Sequence, residues 1–330
     1  MKKTLLTSAI LAAFASGSVS AAEVYKDETH SVDVYGKIQG MYYDSKDKGE
    51  EGDQSYFRLG VKAKSSVSES VYAFGRYEVE YAANTNDDLD VRLGYAGLGN
   101  KQYGALSYGR QYGAYTLVAD FTDVLYEFGG DASGTGTDAF GTGKADSLLK
   151  YAVEFNGATF EANYQLDNNY EADKSKVGET ATSYGLAATY GFDFGVNVGA
   201  AYNSGERLTP NAGDAEMTAL AINYDANGVY AALLYSFGEN WGKKATSINN
   251  TDFTAFEAAL GYDFGNGFGV LAGYNKQEAE VGNVTTDTVD YYTFGAQYKY
   301  NKQFAVLAEY KSDQIKGNED ILALAAVYKF

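Results

Sequence analysis

Val32-Asp-Val-Tyr-Gly-Lys-Ile-Gln-Gly40 places Val32, Val34 and Ile38 on one side of an extended chain and Asp33, Lys37 and Gln39 on the other. A period of two residues is the mark of a strand with two unlike faces. The pattern recurs along the whole chain. Phe57, Leu59 and Val61 stand opposite Arg58 and Lys62, Leu93 and Tyr95 opposite Asp90 and Arg92, and Tyr151, Val153 and Phe155 opposite Lys150 and Glu154. Late in the sequence, Phe256, Ala258, Leu260, Tyr262 and Phe264 alternate with Glu257 and Asp263, and Phe304, Val306, Ala308 and Tyr310 with Glu309 and Lys311. Strands are predicted at 31–43, 55–65, 70–82, 90–99, 101–110, 146–156, 158–166, 183–192, 194–203, 216–225, 228–237, 252–264, 267–277, 289–300, 303–312 and 320–330, about sixteen in all.

Between these segments short and long connections take turns. Asn100, Asn156-Gly157, Asp193, Ala226-Asn227, Gly265-Asn266 and Asn301-Lys302 are tight, and 66–69 is slightly longer. The alternate connections, 44–54, 83–89, 111–145, 167–182, 204–215, 238–251, 278–288 and 313–319, are long and polar. Tight turns at one end and long loops at the other are what a transmembrane barrel of antiparallel strands shows, with the turns periplasmic and the loops extracellular. Aromatic residues gather at strand ends, as at Tyr42-Tyr43, Tyr190 with Phe192 and Phe194, and Tyr262 with Phe264 and Phe268, where headgroup-level rings are expected. A closed sheet satisfies every backbone group inside a bilayer without a long apolar run. The mean hydropathy of −0.33 therefore fits a membrane location.

Composition narrows the function. Met1-Lys2-Lys3, the apolar stretch Leu5 to Phe14 and the small residues Val19-Ser20-Ala21 read as a secretory signal peptide cleaved after Ala21. Residues 22–330 then form a single barrel. Loss of Lys2 and Lys3 takes the formal charge from −18 to −20, which disfavours nucleic acid as a partner, since phosphate backbones need basic surface. With no cysteine and one histidine, His30, the chain offers no disulfide, thiolate nucleophile, histidine-based triad or multi-histidine metal site. Acid pairs such as Asp87-Asp88 and Glu50-Glu51 lie in polar loops, where a solvated surface is the plainer reading. No enzyme and no cofactor is expected.

Several segments resemble the general trimeric diffusion porins of Gram-negative outer membranes, over nearly all of residues 22–330. The likeness lies in Ala22-Glu23-Val24-Tyr25, Val34-Tyr35-Gly36-Lys37, Arg58-Leu59-Gly60, Arg92-Leu-Gly-Tyr-Ala-Gly-Leu98 and, most specifically, Ser107-Tyr-Gly-Arg-Gln-Tyr-Gly113 followed by Phe121-Thr-Asp123 and Glu127-Phe-Gly-Gly-Asp131. The terminal amphipathic strand ending at Phe330 resembles the outer-membrane assembly signal, which implies the barrel assembly machinery as a partner. The resemblance implies a long third loop, 111–145, folded into the pore, with acids Asp123 and Glu127 facing basic wall residues Lys37, Arg58 and Arg92. Arg76 shares the inward parity of its strand and either joins that set or is a solvated charge in the lumen. A short helix over Thr116–Phe128 and a glycine-rich return over 129–143 are expected within the loop. Asp90 stands where a close relative would carry a lysine, and Lys144 matches a further basic wall position only loosely.

The function so implied is a water-filled channel for passive diffusion of ions and small hydrophilic solutes, embedded in outer-membrane lipid and lipopolysaccharide as a homotrimer. The acidic charge motivates an expected preference for cations. Two other readings stand beside it. A substrate-specific channel would offer an aromatic slide for sugars, for which inward Tyr35, Tyr56 and Tyr72 are candidates; an adhesin-like barrel would act through its loops.

Overall fold

The computed structural model describes residues 22–84, 89–133, 141–166, 180–207, 213–241 and 251–330. The leader with its cleavage point and the pair Asp87-Asp88 lie outside the described residues. The strands are β1 (Ala22–Lys26), β2 (His30–Ser45), β3 (Gly52–Asp53), β4 (Tyr56–Ser66), β5 (Val71–Ala82), β6 (Asp90–Asn100), β7 (Gly104–Tyr112), β8 (Lys144–Phe155) and β9 (Ala158–Gln165). They continue as β10 (Thr180–Gly191), β11 (Val196–Arg207), β12 (Ala215–Ala226), β13 (Val229–Glu239), β14 (Thr251–Asp263), β15 (Phe268–Val281), β16 (Val284–Lys299), β17 (Phe304–Asp313) and β18 (Ile321–Lys329). All pair antiparallel in one sheet, and apart from the short β1 and β3, sixteen long strands follow one another around the ring.

The ring closes where β18 meets β2, from Ile321 opposite Ser45 to Lys329 opposite Lys37. Gly36 and Phe330 exchange both backbone hydrogen bonds, at 2.9 and 3.1 Å, and β1 takes over beyond them with Ala22 opposite Val34. The two ends of the described chain thus share one seam on the same side of β2, and no sheet edge is left along it.

Burial follows the period of two, turned inside out. In β12, Ala215, Met217, Ala219, Ala221 and Asn223 are buried while Leu220 and Ile222 point outward, about half exposed. The same holds for Leu233, Leu260 and Phe294 on later strands. Apolar residues outside and small or polar residues inside suit a barrel whose outer solvent is lipid. Turn chemistry explains the tight connections: Asn156 and Gly157, and Asn227 and Gly228, all carry positive φ, as the hairpin turn with two left-handed residues requires.

Three expectations are corrected. First, Leu93 and Tyr95 do not lie opposite the charged face of β6. A register shift between Glu78 and Val79 on β5 inserts one residue on β6, so Leu93 pairs with Glu78 and is 1% exposed. A bulge reverses side-chain parity beyond it, which alternation alone does not reveal. Second, the expected long loop at 278–288 is mostly strand: β15 and β16 run on to Val281 opposite Val284, joined by Gly282-Asn283 with Gly282 at φ 64°. The β-branched Val281, Val284, Thr285 and Thr286 around a Gly-Asn turn favour a hairpin. Third, the helix expected over Thr116–Phe128 is one turn, α1 (Thr116–Ala119). Beyond it the N–H groups of Phe121 and Thr122 bond three residues back, to the Val118 and Ala119 carbonyls, so the α-helical pattern is lost.

Candidate functional site

The segment after β7 leaves and returns at one point: Gly113 N–H donates to the Gly143 carbonyl at 2.9 Å, and the Thr116 hydroxyl donates to the Thr142 carbonyl at 2.9 Å. Between these ends its described residues pack on the inward faces of distant strands. Tyr115, Val118, Ala119 and Phe121 bury against Ala187, Ala201, Met217, Ala219 and Leu234. Val124 lies with Tyr230, Ala232 and Ala259, and Phe128 with Ala255, Val289, Tyr291 and Ala323. Alanines at inward positions make the room, so the run of small inward residues on β10–β14 and β18 is the trace, in sequence, of something packed against them.

Two wall carboxylates hold this segment by its backbone. Glu309 on β17, fully buried, accepts from the N–H groups of Tyr126, Glu127 and Phe128 at 2.8, 3.1 and 3.2 Å. Glu257 on β14 accepts from Ala132 N–H at 3.0 Å, Ser133 N–H at 2.5 Å and the Thr122 hydroxyl at 2.5 Å. These bonds take the N–H groups of Tyr126, Glu127 and Phe128, so no helix resumes there after the turns that follow α1. Charge-assisted bonds of this kind are stronger than neutral ones. Gln277 on β15 adds a bond to the Ala132 carbonyl at 2.8 Å and Tyr230 on β13 one to that of Phe121 at 2.5 Å. Reading the sequence placed Glu257 and Glu309 on the polar face but gave them no task.

The near wall, on β2 and β4–β6, carries the basic residues. Arg58 donates from Nε to Glu80 at 2.7 Å and from Nη2 to the same carboxylate. Arg76 donates to the Tyr35 hydroxyl at 2.6 Å and to Glu78 at 2.8 Å; Arg92 donates to Glu78 at 2.9 Å and to the Tyr112 hydroxyl at 3.3 Å. Arg92 also lies 3.6 Å from Glu80. The structure therefore brings Arg58, Arg76 and Arg92 together through two acids, Glu78 and Glu80, that sequence reading did not single out. Their signal was present, since Arg76, Glu78 and Glu80 share one face of β5. Lys37 stands opposite Arg58 in register, donates to Gln39 Oε1 at 3.2 Å and lies over the Tyr56 ring at 4.5 Å.

Of the two loop acids, Glu127 reaches the near wall: it accepts from the Tyr43 hydroxyl at 2.5 Å and from Gln39 Nε2 at 3.4 Å. Burial there holds its carboxyl above the usual range. Asp123 is exposed and lies beside the turn at Gly129-Gly130, where a Cβ on Gly130 would stand 3.2 Å from its Cγ. Asp120, which sequence reading passed over, is a further acid on the same segment, its carboxyl pushed up to about 8 by desolvation and by Asp123 beside it.

The candidate aromatic slide has a different arrangement. The Tyr35 ring fills the space above Gly60, where a Cβ would lie 2.1 Å from it, and Tyr72 fills that above Gly99 at 2.2 Å. Lys62 lies over the Tyr35 ring at 4.7 Å, Lys64 over Tyr72 at 3.9 Å and Lys37 over Tyr56. These rings lie against the wall under cations, so their faces are not open to a sugar.

Comparison with known proteins agrees with this architecture. The family model described as Gram-negative porin matches residues 26–330. The outer membrane porin protein OmpD of Salmonella typhimurium is 34% identical, and the outer membrane porin PhoE of Enterobacter cloacae 35%, each alignment covering 100% of both chains. Among solved structures, Salmonella typhi OmpF in complex with daunomycin matches with a TM-score of 0.84 and 27% identity over 93% of this chain and 100% of that one. An anion-selective porin from Comamonas acidovorans, 13% identical, shares the fold with a TM-score of 0.73 over 91% of this chain and 100% of that one. The chain belongs to the Gram-negative porin family and is a channel protein of the outer membrane rather than an enzyme.

Proposed function

We propose that this porin is a cation-preferring diffusion channel whose narrowest part lies between the segment 111–145 and the wall of β2 and β4–β6. The observation that carries the reading is the pairing of Arg58, Arg76 and Arg92 with Glu78 and Glu80. Three guanidiniums that would otherwise attract anions are largely matched on their own wall, while Asp123 and Glu127 add negative charge from the loop. A lumen with excess acid concentrates cations and repels anions. The fold itself does not set the sign, since it also serves an anion-selective porin.

No bond is made or broken. A polar solute exchanges part of its hydration for wall contacts, and an apolar one has nothing to offer the water oriented between loop and wall. Three further readings complete the proposal. The leader 1–21 directs export. Gly36, Ile38, Gly40, Leu59, Val61 and Ala63, small or apolar on the outer face, supply a protomer contact in a homotrimer surrounded by lipid and lipopolysaccharide. Phe330, which closes the seam onto Gly36, is read by the assembly machinery before that closure.

Reversal potentials in planar bilayers under a potassium chloride gradient test the reading. The expected result favours potassium, and Asp123→Asn with Glu127→Gln should abolish much of that preference with a stability change within about 1 kcal/mol. A preference for chloride in the wild type, or unchanged selectivity in the double variant, would overturn it.

A further inference from the structure

The register places five charged residues in one row across the near wall: Lys329 on β18, Lys37 on β2, Arg58 on β4, Glu80 on β5 and Asp90 on β6, each opposite the next. The row is cationic through β4 and acidic from β5 on. Glu80 stands at the change of sign, holding Arg58 through two nitrogens and lying 3.6 Å from Arg92. Glu78 serves the same arginines from behind: its side chain is 4% exposed, whereas those of Glu80 and Arg58 are each 25% exposed. Asp90 is exposed beside Glu80.

We propose that Glu80 is the wall residue that determines ion preference in this channel. The inference rests on the reading that the arginine cluster faces the path of permeating ions. Glu80 acts in two ways. Its carboxylate removes most of the positive field of Arg58 and Arg92 at the luminal surface, and with Asp90 it extends acid from the loop side onto the wall. A passing cation then meets carboxylates on both sides of the passage, while an anion is left the lysine end of the row at Lys37 and Lys329. Glu78, shielded by its arginines, shapes the cluster without presenting charge to the lumen.

The test compares reversal potentials of wild type, Glu80→Gln, Glu80→Asp and Glu78→Gln in the same salt gradient, with thermal unfolding of each. Glu80→Gln is expected to shift the reversal potential toward chloride, Glu80→Asp to retain the wild-type sign, and Glu78→Gln to lower thermal stability with the smaller selectivity shift. Should Glu80→Gln not fold, Arg58→Gln/Glu80→Gln is compared with Arg58→Gln, a step that removes only the charge of Glu80 and leaves no arginine at 58 unpaired. That step should again move selectivity toward chloride. A folded Glu80→Gln with the wild-type reversal potential, or no movement between the Arg58→Gln single and double variants, would overturn the inference. Because each comparison is a difference between variants, it stands even if the wild type itself favours chloride, which would defeat only the proposed cation preference.

Discussion

Carboxylates on inward strand positions serve opposite ends on the two sides of this barrel. On β5, Glu78 and Glu80 bind guanidinium side chains; on β14 and β17, Glu257 and Glu309 bind backbone N–H groups of the segment after β7. The near wall is a web of side chains, open to the lumen at Glu80 and Arg58. The far wall is a clamp on main chain, fully buried. In the proposed channel, an acid in the lumen is then not by itself a selectivity element. What decides is whether its partner is a mobile charge, whose field it cancels, or a fixed dipole, whose position it sets.

The clamp is the side where the largest effect is expected. Glu257→Ala together with Glu309→Ala leaves five backbone N–H groups and one hydroxyl without their acceptor, at a cost on the order of 1–3 kcal/mol for each that stays buried. Thermal unfolding should begin earlier, and single-channel records should grow noisier as the segment leaves the wall. A quiet channel of wild-type stability would show that alanine packing alone holds the segment, and the contrast between the two walls would lose its meaning.

A smaller effect comes from pH. Burial raises the carboxyl of Glu127, so on acidification it gains a proton before an ordinary glutamate with a value of about 4.3 does. The folded protein holds this proton more tightly than the unfolded chain. The group therefore contributes stability at low pH and loses it as pH rises through the raised value. Acidification should thus move the reversal potential toward chloride without loosening the barrel on account of Glu127, and Glu127→Gln should blunt the onset. A selectivity that stays flat until the ordinary carboxylate range, or an identical curve in Glu127→Gln, would remove Glu127 from the passage.

How much of this was legible beforehand follows from what a period of two can encode. Strand identity, facing and number come from it directly, since Leu220 and Ile222 must face lipid if Ala219 and Ala221 face inward. The bulge at β6 was not legible, because an inserted residue changes parity without changing composition. Nor was the brevity of α1, since Thr116 to Phe128 is compatible with helix, and the contact that holds its far end in another form comes from Glu309, 181 residues beyond Phe128. The basic residues Lys37, Arg58, Arg76 and Arg92 were singled out by inward parity and by resemblance to a family. Glu78 and Glu80 carry the same parity two and four residues after Arg76, and were passed over because strand sequence shows which face a charge is on but not which charge it meets across the sheet.

The central claim is that the segment carrying Asp123 lines the narrowest part of the channel. Asp123→Cys introduces a single thiol into a chain that has none, and a cationic thiol-reactive reagent can then be added to the open channel in a bilayer. Conductance should fall on labelling, with a shift of the reversal potential toward chloride as an acid is replaced by a fixed positive charge. Complete labelling that leaves both conductance and reversal potential as they were would contradict the account.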